Sequence, residues 1–395
     1  MSYKRRQQLL FILLTSFVAS LIIFDLAHNV IYNNLMNLVL LFIFGFIFLL
    51  DNDLKLRFNN FILAYLLFTS FALSSIFWAV DFDLALSYSL RLVVAFVNIW
   101  MVYTIITHYK IHNAILYGIL TGAFFNYLIA FGIIHVNYEI YEFGRFLGTE
   151  GNSNKLAKVI LLAIFATIVL LSLDTTNKYF KIYLRFSILL SLYVIFLTVS
   201  KKAIILAPIL LLSTVSLKEL KLKNIIIFLI TAVVLIKVFF TYMDFSYLNG
   251  ILNILDKRFE GLFHMLEGGK GDASSGERAY LIKEGFNIFM DNPVFGTGLN
   301  TFRVFLGKYA HNNYLELLVD VGIIGFVLFY AIYGIVFLEI KKMSKSKLRR
   351  YMLIMVFILL LMDLATVSYF NKLILLVLLY IYFVAKNNQK EQSYE

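Results

Sequence analysis

The sequence predicts an all-α fold, a polytopic bundle of about twelve membrane-spanning helices forming a single domain over residues 1–395. Three observations predict it. Hydrophobic residues make up 61% of the chain and aromatic ones 17%, where a soluble domain is about half apolar. Apolar runs close to the ~20 residues that a bilayer requires recur along the whole length. Prolines are rare, Pro208 and Pro293 being the two present, so long helices go mostly uninterrupted.

The expected spans cover residues 8–24, 30–50, 59–80, 85–107, 113–134, 155–172, 182–199, 203–217, 224–241, 312–338, 351–369 and 371–385. The first follows Lys4-Arg5-Arg6 but leads into Asp25 without a small-residue cleavage site, so it reads as a span and not as a signal peptide. An even number of spans places both termini on one side. More than half of the 35 Lys and Arg fall in the termini and the even-numbered connections, with a dense run from Lys341 to Arg350. The turns at 25–29 and 80–83 carry neither residue. Basic residues collect on the cytoplasmic side, so both termini are expected there. The same distribution removes nucleic acid as the partner of the formal charge of +11. One segment runs against it: Ser200-Lys201-Lys202 falls on the outer side between two short spans. Cysteine is absent, which rules out disulfides, thiolate metal sites and a cysteine nucleophile. Asp81-Phe82-Asp83 offers two acids to a divalent ion, but further ligands are lacking, and no metal or cofactor is expected.

Two connections are long, residues 135–154 and 242–311, both on the outer side. The second carries structure of its own. Gly268-Gly269-Lys270-Gly271 is followed by Ser274-Ser275-Gly276-Glu277, which reads as a capping box. The helix after it sets Arg278, Leu281, Ile282, Gly285 and Phe289 on one stripe, with Lys283, Glu284 and Asn287 away from it. Asp291-Asn292-Pro293 ends it. Such a helix either lies on the outer membrane surface or packs across the mouth of the bundle.

Three helix starts face outward: Asn152-Ser153-Asn154, Ser274, and His311-Asn312-Asn313. Each presents uncompensated N–H groups and a positive dipole end, a setting for an anion such as phosphate. Arg145, Arg278 and His311 lie beside them. An arginine at a membrane interface also serves as a snorkelling anchor, and a histidine at a helix start also serves as a cap or surface residue. Glu316 and Asp320, four residues apart, share one face of the tenth span. They either orient a proton path or face a polar cavity. Arg91, Lys237 and Asp363 lie inside spans.

Together these residues carry a resemblance. Ala310-His311-Asn312-Asn313-Tyr314-Leu315-Glu316-Leu317-Leu318-Val319-Asp320-Val321-Gly322-Ile323-Ile324-Gly325 resembles the signature of the O-antigen ligase and polysaccharide polymerase superfamily: a His-Asn pair, an aliphatic-acidic helix turn, then Gly-x-x-Gly. Gly144-Arg145-Phe146-Leu147-Gly148-Thr149, followed by Asn152-Ser153-Asn154, resembles its Arg-x-x-Gly-Thr element and Asn-rich helix start. Glu277-Arg278 with Asp291-Asn292-Pro293-Val294-Phe295-Gly296-Thr297-Gly298 resembles its arginine helix and its Asn-Pro-x-x-Gly-x-Gly turn. Ser200-Lys201-Lys202-Ala203 resembles its Ser-Arg-Lys-Ala element, with lysine at 201 in place of arginine and its bidentate fork. The likeness covers residues 144–325.

The resemblance implies a membrane glycosyltransferase fold of type C-like architecture, working at the outer face of the bacterial inner membrane without a metal. It implies a glycan donor carried on undecaprenyl diphosphate and a glycan acceptor, among membrane lipids, with a flippase and a chain-length regulator as further partners. Arg145 and Arg278 are then expected to hold the diphosphate and His311 to act on the acceptor, supported by Lys201, Asn312, Glu316 and Asp320. Two products are open: a longer glycan still on its lipid (polymerase), or a glycan moved to a lipid A core (ligase). A transporter such as a flippase is the reading from another class. It calls for repeated halves and mid-membrane binding residues, whereas the polar signals here concentrate outside.

Overall fold

The computed structural model describes residues 3–24, 30–51, 53–173, 177–214 and 273–392. The ninth expected span, the Gly268–Gly271 segment and Lys237 lie outside the described residues. The helices are α1 (Tyr3–Ile23), α2 (Val30–Leu50), α3 (Asn60–Ser74) with a 3-10 extension Ser75–Trp78, α4 (Phe82–Tyr109), α5 (Ala114–Ala130), α6 (Ser153–Leu171), α7 (Lys178–Thr198), α8 (Lys201–Leu212), α9 (Ala273–Asp291), α10 (Phe302–Leu306), α11 (Asn313–Lys342), α12 (Lys347–Asp363) and α13 (Lys372–Gln392). Strands are confined to a two-residue hairpin among the described residues, β1 (Tyr141–Glu142) against β2 (Arg145–Phe146). Among the described residues six helices are long and apolar enough to cross a membrane: α1, α3 with its extension, α4, α6, α7 and α11. Helices α5, α8, α12 and α13 coincide with further expected spans without meeting that requirement, and in α2 the run Asn37–Leu49 is apolar but shorter.

Capping residues set the ends. Asn59 accepts from the Ile62 N–H, Asp81 from Leu84, Asn152 from Asn154 and Lys155, and Asn312 from Tyr314 and Leu315. Such caps satisfy donors that a helix leaves open. Asp81, one of the two turn acids, therefore has a structural task at the start of α4.

The chain divides into two compact units, residues 1–125 with 273–395, and residues 126–272. In the second unit α6 packs against α7 and α8. Its residues 156–170 are buried without a break, as expected of a helix apolar all round. In the first unit α11 packs against α3, α9 and α13. Among helices surrounded by lipid, close packing rather than water exclusion drives association. Gly118 and Gly122 show the consequence on α5. A Cβ on Gly118 would lie 2.5 Å from Cβ of Val18, and one on Gly122 would lie 2.7 Å from Cβ of Ile22, so two small residues four apart let α1 approach. At the far end of these helices Asp51 accepts from the Tyr109 hydroxyl and pairs with His108 at 3.4 Å and Arg6 at 3.7 Å.

The loop helix α9 begins at Ala273, ahead of the start that Ser274 as a cap would give; helix ends commonly differ by a residue or two. It ends at Asp291, before Pro293 as expected. Leu281 and Phe289 are buried with Phe302, Ala310, Leu315 and Val319, and Ile288 packs against them. Gly285 faces the same cluster, where a Cβ would come within 2.7 Å of the Phe302 ring and 2.9 Å of Leu315. The stripe thus differs from expectation at one position. Ile282 is 48% exposed and Ile288 takes its place, because the helix meets α10 and α11 on a face rotated toward the 281–285–288–289 side. The buried side of the helix thus packs against α11.

Candidate functional site

Helix α11 is broken. Gly322 has φ +63° and ψ −169°, a region that is essentially glycine-only. The segment after α9 fills the break. The Thr297 N–H donates to the Val319 carbonyl and the Gly298 N–H to that of Asp320, while Ile323 and Ile324 donate to the carbonyls of Pro293 and Val294. Every helix end leaves such groups open, and here the Asn-Pro-x-x-Gly-x-Gly turn satisfies them. Two glycines make the approach possible. A Cβ on Gly296 would lie 2.5 Å from the Asp320 carbonyl carbon, and one on Gly322 would lie 2.3 Å from the Val294 oxygen. The other side of the turn is held by the end of α3: the Trp78 indole donates to the Phe295 carbonyl, Leu299 N–H donates to the Ser75 hydroxyl, and Val80 N–H donates to the Thr297 carbonyl.

Glu316 and Asp320 do share a face, and that face looks onto their own loop. Asp320, fully buried, accepts from the N–H groups of Asn300 and Phe302, both at 2.8 Å. Glu316 accepts from the Ala310 N–H at 2.7 Å. Their contacts make them positioning groups that fix residues 300–310 above the start of α11. His311 follows directly, half-buried, with φ +52°, a left-handed conformation uncommon outside glycine. Its ring lies 3.9 Å, centroid to centroid, from that of Tyr309. Asn312 caps α11, and the buried Asn313 bonds to Tyr330, Asp363 and the N–H groups of Ser368 and Tyr369. Asp363, one of the charged residues expected inside the spans, thus belongs to a hydrogen-bonded anchor of this helix start.

Arg278 shares this neighbourhood. Lys308 pairs with Glu277, tying the start of α9 to the loop before His311. That hydrogen bond and charge hold the Glu277 carboxyl below its ordinary value, with His311 and Arg278 adding to the pull. Burial pushes the Tyr309 hydroxyl up and the Glu316 charge adds to it, while Arg278 and Arg303 act in the opposite direction. The first unit therefore gathers His311, Tyr309, Arg278 and Arg303. Motif spacing alone does not single out Arg303 or Tyr309. The signal they do carry is a cation five residues beyond Gly298, in a loop that returns to a helix start.

In the second unit the β1–β2 hairpin turns through Phe143 and Gly144, both at positive φ, the backbone demanded by a tight two-residue turn. It delivers Arg145, whose Nε donates to the Thr198 carbonyl at 3.1 Å and whose Nη2 donates to Asn154 Oδ1 at 3.2 Å. The same Asn154 oxygen accepts from the Ser200 hydroxyl at 3.1 Å, and Lys201 opens α8 immediately after. Two motifs distant in sequence, Arg-x-x-Gly-Thr and Ser-Lys-Lys-Ala, therefore meet through one asparagine. The Lys201-Lys202 pair thus opens α8 one residue after Ser200, which shares Asn154 with Arg145. Asn126 completes the scaffold, accepting from the Thr149 N–H at 2.9 Å and donating to its hydroxyl.

No cluster of three or more metal-ligating side chains occurs among the described residues. The arrangement offers arginines and helix starts for oxyanions and an imidazole for proton transfer. Residues 186–330 match the family model described as O-antigen ligase (Wzy_C). The match includes Lys201, Arg278, His311, Asn312, Glu316 and Asp320; Arg145 precedes it. No curated protein matches the chain.

Proposed function

We propose that the protein, whose residues 186–330 match the O-antigen ligase family model, polymerises lipid-linked oligosaccharide repeats into a surface polysaccharide at the outer face of the cytoplasmic membrane. The donor glycan is carried on undecaprenyl diphosphate, as the resemblance implies. An acceptor sugar hydroxyl attacks the anomeric carbon, the bond from that carbon to the diphosphate oxygen breaks, and undecaprenyl diphosphate leaves. His311 takes the hydroxyl proton; general-base help of this kind is typically worth ~10²- to 10⁴-fold. Arg278 and Arg145 stabilise the charge gathered by the leaving diphosphate. The observation that carries the reading is the group of Arg278, His311 and Tyr309, held over the start of α11 by Glu316.

The polymerase is favoured over the ligase by the Ser200-Lys201-Lys202-Ala203 element, which the second unit sets beside Arg145 through Asn154. Deleting the gene and sizing the surface glycan separates them. Single repeats without long chains are expected; full-length chains stranded on the lipid carrier would instead make it a ligase.

Each arginine has its own test. Arg145→Ala and Arg278→Ala are each expected to lower polymer formation by ~100-fold or more while the protein still accumulates in the membrane. The lysine variants should recover part, since an ammonium lacks the guanidinium fork. Normal polymer from either alanine variant would return that arginine to interface anchoring. The proposed orientation, both termini cytoplasmic, is checked in this cysteine-free chain by single cysteines at 270 and 345. An impermeant thiol reagent applied to intact cells should modify the first; modification of the second instead would reverse the orientation.

A further inference from the structure

Arg91 lies on α4 and Arg303 on α10, far apart in sequence. Their guanidinium carbons stand 4.6 Å and 5.1 Å from the centroid of one ring, that of Tyr88. Cation–π attraction at exposed sites is weak, and two like charges gathered on one ring repel. The nearby acids are committed elsewhere: Asp320 to Asn300 and Phe302, Glu316 to Ala310, Glu277 to Lys308. Glu316 and Asp320 feel Arg303 electrostatically, but neither arginine has a carboxylate within ion-pair distance among the described residues. Arg303 Nε is buried without a hydrogen-bond partner among the described residues, an ordinarily destabilising condition. Arg91 is exposed. The pair therefore has a buried donor on one side and an open approach on the other.

Depth indicates the ligand. Arg91 is nine residues into α4, about 13 Å from its start at the usual helical rise, and that start is joined to the outer turn through Val80 and Thr297. α4 has 28 residues, about 42 Å at that rise and longer than the ~30 Å hydrocarbon core, and the run Leu92–Thr107 behind Arg91 is uncharged, so the headgroup level, where the phosphate of an amphiphile sits, falls at Arg91. Two planar forks match phosphate oxygens bidentately. We propose that Arg91 and Arg303, held together by Tyr88, bind a lipid phosphate, either the diphosphate of a lipid-linked glycan or the headgroup of an anionic phospholipid. This inference rests on membrane insertion and not on glycosyl transfer.

The test uses the full-length protein purified in detergent, with Arg91→Gln, Arg303→Gln and the double variant, each checked for monodispersity and melting temperature. Calorimetric titration with inorganic pyrophosphate probes the first source. Native mass spectrometry after passage through phosphatidylglycerol nanodiscs, with phosphatidylcholine as control, probes the second. Each single variant is expected to weaken one of the two ligands at this site by ~10-fold and the double variant to abolish that component, while pyrophosphate held by Arg145 and Arg278 titrates unchanged. Loss confined to pyrophosphate identifies the diphosphate, and loss confined to phosphatidylglycerol identifies the headgroup. If the glutamine variants do not stay monodisperse, Arg303→Lys and Arg91→Lys replace them, with several-fold weakening expected. A folded double variant, or folded lysine variants, retaining both ligands at wild-type strength would overturn the site, as would wild-type protein that binds neither.

Discussion

Gly322→Ala is expected to cost the protein the fold of the turn at 293–298 and the loop behind it. The backbone at 322 lies where only glycine is comfortable, which alone costs about 1–3 kcal/mol for another residue. The added methyl would also meet the Val294 oxygen at 2.3 Å, a backbone atom that cannot move without releasing the Ile324 N–H that donates to it. Relief requires the turn at 293–298 to leave the break in α11, exposing the hydrogen-bonding groups that it satisfies. Gly296→Ala should behave alike, since its Cβ meets the other lip of the break. Gly334 is the control. It lies on the same helix with nothing within 4 Å of a built Cβ, so Gly334→Ala should be neutral or mildly stabilising. Melting temperature and protease resistance in detergent read the difference. A Gly322→Ala protein as stable as Gly334→Ala would mean that the turn does not depend on the break.

The second large effect is expected at His311. His311→Ala should lower turnover by at least ~100-fold while lipid-diphosphate binding persists through the arginines. His311→Gln keeps a hydrogen-bonding side chain but has no site to take up a proton at neutral pH, so it should be nearly as inactive. Glu316 gives an independent approach. Its carboxylate holds the Ala310 N–H one residue before His311, so Glu316→Gln, which keeps an acceptor oxygen, should retain much of the activity that Glu316→Ala loses. Near-normal turnover by His311→Gln would exclude the base role and leave His311 as an acceptor-positioning residue.

Local chemistry makes much of this arrangement legible in the sequence. Asn152 and Asn312 cap helices where the sequence places them, because a cap is decided by one side chain and the next three N–H groups. Pro293 follows the end of α9 for an equally local reason. The break in α11 is not legible. Gly322 sits in an apolar run where glycine is ordinary, and its conformation is imposed by a turn some 25 residues upstream. The exchange of Ile282 for Ile288 in the buried stripe has a similar origin, since the helix direction depends on Gly285 meeting Phe302 and Leu315. Arg303 gains its interest only from Tyr88 and Arg91, and Arg145 from Thr198, Asn154 and Ser200. Motifs reveal residue types; tertiary packing sets their partners.

The central claim is glycosyl transfer from a lipid diphosphate, and one reconstitution tests it most directly. Purified full-length protein in liposomes is given undecaprenyl-diphosphate-linked repeat units with no metal added, and both glycan length and released lipid are followed. The account predicts a ladder of longer lipid-linked glycans with one undecaprenyl diphosphate freed for each repeat joined, absent from the His311→Gln protein. Monodisperse, membrane-inserted wild-type protein that frees no undecaprenyl diphosphate, or a glutamine variant that frees it at the wild-type rate, would contradict it.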